Sequence, residues 1–473
     1  MLYRKLIEDH LNDNKVIISD ENRNLTYAQI HEKVAQYCAF FQRKNLKQGD
    51  RIVVIDNNPV NTAIVLLACI AGGYIFVPVN SALGDEDRAY IEADCCPALK
   101  LDEEINEAER GEKVLEKRKL WPKETEVYII YTSGSEGIPK GVTGSQKQVF
   151  FCCEGINQRL KNDKSDRILC CLPLSFDYGM YQVFLALFSG AHLYLETGKI
   201  LQKIPYFLDK WKITAFPTIP TVANILVKTG MLRGMTLSEL RYISFTGEVL
   251  STNLIGELKE ILPEVRIIPM YGLTECKRVA VMPEGCEEKV RKGSCGLPLS
   301  GVKVWLESVD SETQVGELIV SGDNVMEGYW NHIGESSSVF FVDEKSGERC
   351  VRTGDICRID EEGFLYFCGR KNNIIKIRGY RISGASIENR IKGIDGVIET
   401  VVTGIPDEIT GEKLAIYVYA CQESNKRRIT EELEKLPDYM QNYSLYLCDH
   451  PLPQNKNGKI DIRKLQKWAK EKC

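Results

Sequence analysis

A chain of 473 residues, 44% hydrophobic and 27% charged, is long enough for more than one domain and for a large core without disulfides or metals, which excludes a single small binding module. The net charge of -5 is spread along the chain and argues against a nucleic-acid or membrane surface. The 17 cysteines form no C-x-x-C pair, MLYRKLIEDHLND has no apolar run of signal-peptide length, and the longest apolar stretch, Ala63–Ile70, is far below a membrane span. Buried thiols in a reducing cytosol, and a cytoplasmic protein, are the expectation.

From the N-terminus, the segment TYAQIHEKVAQYCAFFQRKNL that starts at Thr26 carries apolar residues at helical spacing. Gln48-Gly49-Asp50 then turns into Arg51–Ile55, a buried strand by length and β-branching. The alternation recurs as helix Thr62–Ala71, strand Tyr74–Val79, strand Val127–Tyr131, helix Gln146–Leu160 and strand Arg167–Leu172. After about residue 300 the texture changes to short β-like runs with glycine turns, at Val302–Glu307, Gly316–Ser321 and Gly363–Cys368. A break at Gly369–Gly379 precedes strands Val401–Gly404 and Leu414–Ala420 and helices Ile429–Leu436 and Ile462–Trp468. The expected fold is α/β: a large N-terminal domain, residues 1–371, of mixed sheets flanked by helices with a β-rich subdomain from about 300 to 371, and a small α+β C-terminal domain, residues 372–473.

One segment stands out chemically. The strand-like VYIIY runs into TSGSEGIPKGV, where three glycines, two serines, a threonine and a lysine fall within eleven residues. Glycines allow turns with positive φ, exposed amides and hydroxyls donate to phosphate oxygens, and Lys140 supplies a counter-charge. The spacing fits neither a Walker A loop nor G-x-G-x-x-G.

With this loop, other segments follow in a fixed order: Gly72-Gly73-Tyr74 through Pro78, PLSFDYG at 173–179, Thr246-Gly247-Glu248, YGLTE at 271–275, GELIVSG at 316–322, RTGD at 352–355, GRKNNIIKIRGYRI at 369–382 and NGKID at 457–461. Together they resemble the adenylate-forming superfamily of acyl-CoA synthetases, luciferases and nonribosomal peptide synthetase adenylation domains, over nearly the whole chain.

The resemblance implies an AMP-forming ligase with ATP and Mg²⁺ as cofactors. It assigns the phosphates to Thr132, Ser133, Gly134, Ser135, Gly137 and Lys140, and the adenine to Thr246, Gly247, Glu248, Met270, Tyr271, Gly272 and Phe367. Asp355 and Arg370 would hold the ribose, Thr274 the α-phosphate and Glu275 the Mg²⁺. Lys459 would bridge the substrate carboxylate and the nucleotide during adenylation. The C-terminal domain would then rotate about a hinge at Asn372 and bring Lys376, Arg378 and Gly379 to the site for transfer to a thiol. Two positions depart from the pattern: Glu136 stands where a hydroxyl is usual, and Asn372 where the hinge commonly has Asp.

For the acid, amino-acid-activating members of the superfamily read Phe-Asp where this chain has Phe176-Asp177, the Asp holding the α-ammonium. Aligned by position, Tyr178, Tyr181, Pro217, Ser244, Met270 and Arg278 would line the side-chain pocket. Arg278 would bind an acidic or polar substrate group, or neutralise Asp177 and leave no charge for an amine. The expected substrate is an amino acid; the alternatives are a non-amino carboxylic acid destined for CoA or a carrier, and a catalytically silent nucleotide-binding relative. The expected partners are a small carboxylic or amino acid and a separate carrier protein or CoA, with no nucleic acid and no membrane.

Overall fold

The structure is a computed structural model that describes residues 1–105, 120–133, 139–196, 201–310, 313–371, 374–377, 380–407, 411–420, 425–436, 440–454 and 460–472. Local sequence explains the first elements. Thr26 caps the helix Tyr27–Arg43 through a reciprocal capping box with Gln29, satisfying two amides that the helix cannot bond itself. Asn58 caps Pro59–Gly72, a helix apolar on nearly all sides and accordingly buried, which ends where Gly73 takes φ 75. The helix Gln146–Leu160 has the bounds that periodicity implies, and the strand at 167 stops at Cys170, two residues earlier than its apolar run.

Two sheets form the body. One has nine strands, with Arg167–Cys170, His192–Leu195, Ala215–Thr218, Tyr242–Phe245 and Arg266–Tyr271 running parallel. The other has six, built on parallel Arg51–Asp56, Ile75–Asn80 and Glu126–Ser133. Loops at the carboxyl ends of parallel strands open on a shared crevice, where α/β sheets present ligand-binding residues. Thr246, Gly272 and the segment before Asp177 all lie at such ends.

Residues 303–370 add a five-stranded, antiparallel sheet centred on Arg349–Ile359. A further five-stranded sheet begins at Ile374 and has its own apolar clusters, one around Ile375, Ile391, Ile416 and Leu433 and another around Tyr417, Leu465 and Ala469. It meets the body where the strand Val397–Asp407 approaches the helix Pro220–Lys228, and Asn224 Nδ2 donates to the Ile398 carbonyl at 2.8 Å. Among the described residues, no helix is long and apolar enough to cross a membrane.

Candidate active site

The nucleotide-side residues expected from three separate segments come together. Tyr271, at the end of the strand Arg266–Tyr271, donates its hydroxyl to Asp355 Oδ2 at 2.6 Å. Arg370 Nε lies 2.7 Å from Asp355 Oδ1, because Asp355 and Arg370 are direct neighbours across the antiparallel strands Arg349–Ile359 and Leu365–Arg370. Phe367 is on the same strand as Arg370, its ring centroid 6.4 Å from that of Tyr271. Burial, and then the charge of Asp355, push the Tyr271 phenol well above its ordinary value, so it remains a neutral donor.

After Tyr271 the chain folds back on itself, and Val279 N donates to the Tyr271 carbonyl at 2.9 Å. A Cβ at Gly272 would stand 1.8 Å from the Lys277 carbonyl oxygen, so only glycine permits this return. Met270 is buried just before the turn.

On the phosphate side, the residues flanking the loop pair as a hairpin. Thr132 pairs with Lys140 and Ser133 with Pro139 between the antiparallel strands Glu126–Ser133 and Pro139–Ser145, the second of which the sequence pattern did not reveal. Gly134, Ser135, Glu136 and Gly137 lie outside the described residues. Lys140 Nζ sits over the ring of Tyr329 at 5.4 Å, and the Tyr329 hydroxyl donates to Glu275 Oε1 at 2.8 Å. Tyr329 therefore links the expected phosphate cation to the expected Mg²⁺ ligand in the same segment as Thr274. Sequence reasoning missed Tyr329; its only signal is an aromatic pair, Tyr329-Trp330, in a polar stretch.

The acid side differs from expectation in one decisive contact. Asp177, the first residue of the helix Asp177–Ser189, pairs with Lys277 Nζ at 3.4 Å. Lys277 has φ 48, which turns its side chain inward between the ring faces of Tyr128 and Tyr181, at 4.9 and 4.7 Å. The residue that neutralises Asp177 is thus Lys277, not Arg278. Arg278 lies over the Tyr178 ring at 5.1 Å, and its Nη1 donates to Thr246 Oγ1 at 2.6 Å. Tyr181 is a core residue bonded to the Tyr128 hydroxyl at 3.1 Å, and Tyr178 bonds Ser244 Oγ at 2.8 Å. Phe176 brings its ring to Gly247, where an added Cβ would be 3.4 Å away.

An AMP-binding enzyme model matches residues 8–330, and the model of the AMP-binding enzyme C-terminal domain matches residues 386–459. The chain belongs to the AMP-binding enzyme family. Bacitracin synthase 3 of Bacillus licheniformis is 29% identical to this enzyme over 96% of the present chain, and gramicidin S synthase 2 of Brevibacillus brevis is 29% identical over 95%. The chain spans only 7% and 11% of the lengths of those two relatives. Two solved structures share the fold: ATP-bound MatB from Rhodopseudomonas palustris, with a TM-score of 0.89 and 21% identity over 99% of both chains, and the anthranilate CoA ligase AuaEII in complex with anthranoyl-AMP, with 0.88 and 22% over 100% of this chain and 97% of that one.

In this AMP-binding enzyme the carboxylate of Glu248 accepts from Thr221 N at 3.0 Å and Thr221 Oγ1 at 2.7 Å. It thereby caps the helix Pro220–Lys228 whose Asn224 contacts the C-terminal sheet. Lys371, just before the expected hinge, bonds Glu317 Oε2 at 2.6 Å. Lys376 lies in the strand Ile374–Ile377, paired with Arg381. Asn372, Arg378, Gly379 and Lys459 fall outside the described residues.

Asp56, buried at the end of the strand Arg51–Asp56, accepts from Ser175 N at 2.9 Å and so ties down the loop that delivers Phe176 and Asp177. Burial lifts its carboxyl above the ordinary value, and hydrogen bonds from Ser175 pull the other way. An acid with a raised folded-state pKa weakens folding as pH rises from its unfolded value, about 4, through its folded one. Asp56→Asn is therefore expected to flatten that loss in a series of thermal melts from pH 4 to 7. Asp56→Ala, which leaves the Ser175 amide without a partner, is expected to destabilise by about 1–3 kcal/mol throughout.

Proposed function

We propose that this enzyme activates a carboxylic acid with ATP, forming an acyl-adenylate and pyrophosphate, and then passes the acyl group to a thiol. The convergence of Tyr271 on the Asp355–Arg370 pair, with Asp355 84 residues further along the chain, carries the reading: a short buried carboxylate beside a cation and an aromatic hydroxyl suits a ribose with two vicinal hydroxyls.

A carboxylate is a poor acyl donor because its leaving group would be oxide. Attack of the acid oxygen on the α-phosphorus expels pyrophosphate and leaves AMP as a far better leaving group. The chain's part in that step is to align the two reactants and to offset negative charge, through Lys140, Thr274 and the loop hydroxyls, with Lys459 between carboxylate and phosphate. Among the described residues, no three His, Cys, Asp or Glu side chains converge as a metal cage. That fits Mg²⁺, which is held by one or two carboxylates, phosphates and water, with Glu275 as the protein ligand. Bound there, it would supply charge neutralisation at the leaving phosphates.

Transfer to the thiol is assigned to a second arrangement in which the residues from 372 onward turn about Asn372 and present Lys376. The acceptor is the thiol of CoA or of a carrier-bound phosphopantetheine, in keeping with the CoA ligase named among the structural neighbours and the peptide antibiotic synthases among the relatives. Free cysteines, many buried and with thiols pushed up by burial (Cys152 to about 12), suit a cytoplasmic location.

The pairing of Asp177 with Lys277 favours an acid without an α-ammonium over an amino acid, since the carboxylate that would receive the amine already has its cation. Exchange of labelled pyrophosphate into ATP, run over amino acids and aliphatic and aromatic acids, tests the proposal. Exchange that depends on one class of acid is the expected result. No exchange with any acid would point instead to a silent nucleotide-binding relative.

A further inference from the structure

Lys277 and Arg278 are adjacent, almost fully buried cations, 4% and 6% exposed, at the carboxyl end of the parallel sheet. Their charges are not balanced. Lys277 has Asp177 at 3.4 Å, and the two tyrosine faces complete its surroundings. Arg278 has one neutral acceptor, the hydroxyl of Thr246, and the face of Tyr178; its Nε is buried with no hydrogen-bond partner. No carboxylate among the described residues pairs with it. Burial lowers the pKa of the Lys277 ammonium and Asp177 pulls it back up; with both cations protonated, Asp177, Lys277 and Arg278 together carry one net positive charge.

A buried guanidinium without a counter-charge is costly, and its planar fork matches a carboxylate with two parallel bonds. The Thr246 hydroxyl fixes Nη1 and leaves Nε to be satisfied. Thr246 and Gly247 directly follow the strand Tyr242–Phe245, and Phe176 faces Gly247 from the neighbouring loop, so Arg278, bonded to Thr246, stands beside the residues assigned to the acid and the adenine. Resting on the adenylation reading above, we propose that the acid activated here is a dicarboxylate: one carboxylate attacks the α-phosphorus, and the other is received by Arg278. An α-ammonium would meet the uncompensated Arg278 guanidinium and an Asp177 already paired with Lys277, and would be repelled.

Pyrophosphate exchange by the full chain over length-matched pairs tests this: malonate against propionate, succinate against butyrate, glutarate against valerate, phthalate against benzoate, with glycine, alanine and leucine as amino-acid probes. At least one dicarboxylate is expected to exceed its monoacid partner by about 100-fold in kcat/KM, the scale on which a buried charge loses its partner. Arg278→Gln should collapse that ratio by a similar factor through KM for the acid, and Arg278→Lys should restore part of it. Thermal melts of both variants separate this from misfolding, because a purely structural Arg278 would lower stability without moving the ratio. Preference for monoacids or amino acids over every dicarboxylate would overturn the inference and leave adenylation standing. An Arg278→Gln effect confined to KM for ATP would also overturn it, by assigning Arg278 to the nucleotide. Absence of exchange with every acid would remove the adenylation reading and this inference together.

Discussion

Asp355→Ala is expected to raise KM for ATP by roughly 100- to 10,000-fold, the equivalent of losing two hydrogen bonds to a charged acceptor at about 1.5–3 kcal/mol each. The same change strands two groups that the fold has committed to Asp355, the Tyr271 hydroxyl at 2.6 Å and Arg370 Nε at 2.7 Å. Stability should therefore fall as well. Asp355→Asn keeps one carbonyl oxygen for Tyr271 while losing the charge that holds Arg370. It should fold nearly as well as the parent and still lose most of its affinity for ATP. Isothermal titration with ATP beside thermal melts separates the two effects. Unchanged affinity in a folded Asp355→Asn variant would remove the ribose role.

Lys459→Ala is expected to lower acid-dependent pyrophosphate exchange about 100- to 1000-fold, the scale for removing one donor aimed at developing charge. Transfer from a preformed acyl-adenylate to a thiol should fall far less. Lys376→Ala should give the reverse pattern, because its role is assigned to the second arrangement of the C-terminal residues. Exchange assays and single-turnover transfer from synthetic adenylate measure the steps separately. Similar losses in both steps for both variants would contradict two arrangements of one active site.

Much of this architecture was legible locally. The helix start at Thr26 and the bounds of Gln146–Leu160 are written in short-range patterns, since a helix cap or an apolar stripe involves residues within one or two turns; the helix expected over Thr62–Ala71 starts three residues earlier, at Pro59. The ordered motifs, from TSGSEGIPKGV to NGKID, likewise carried the family, because backbone approach to phosphate needs glycine and hydroxyl residues at fixed spacing. The hairpin strand Pro139–Ser145 was not legible: its two glycines and its proline hide a β pattern that only pairing with Glu126–Ser133 makes regular.

By itself, then, the sequence determined the helices and strands with local signatures, the family, and the reaction class those motifs imply. Tertiary structure decided the company each charge keeps. Lys277 follows YGLTE by two residues and is one hundred residues from Asp177, with nothing in the spacing to join them. They meet because Gly272 lets the chain return and φ 48 at Lys277 turns the ammonium inward. Glu248 turned to Thr221, and Tyr329 came between Lys140 and Glu275, for the same reason. Ion pairs and hydrogen bonds reach only a few ångströms, so their partners are fixed by which distant segments the folded backbone brings together.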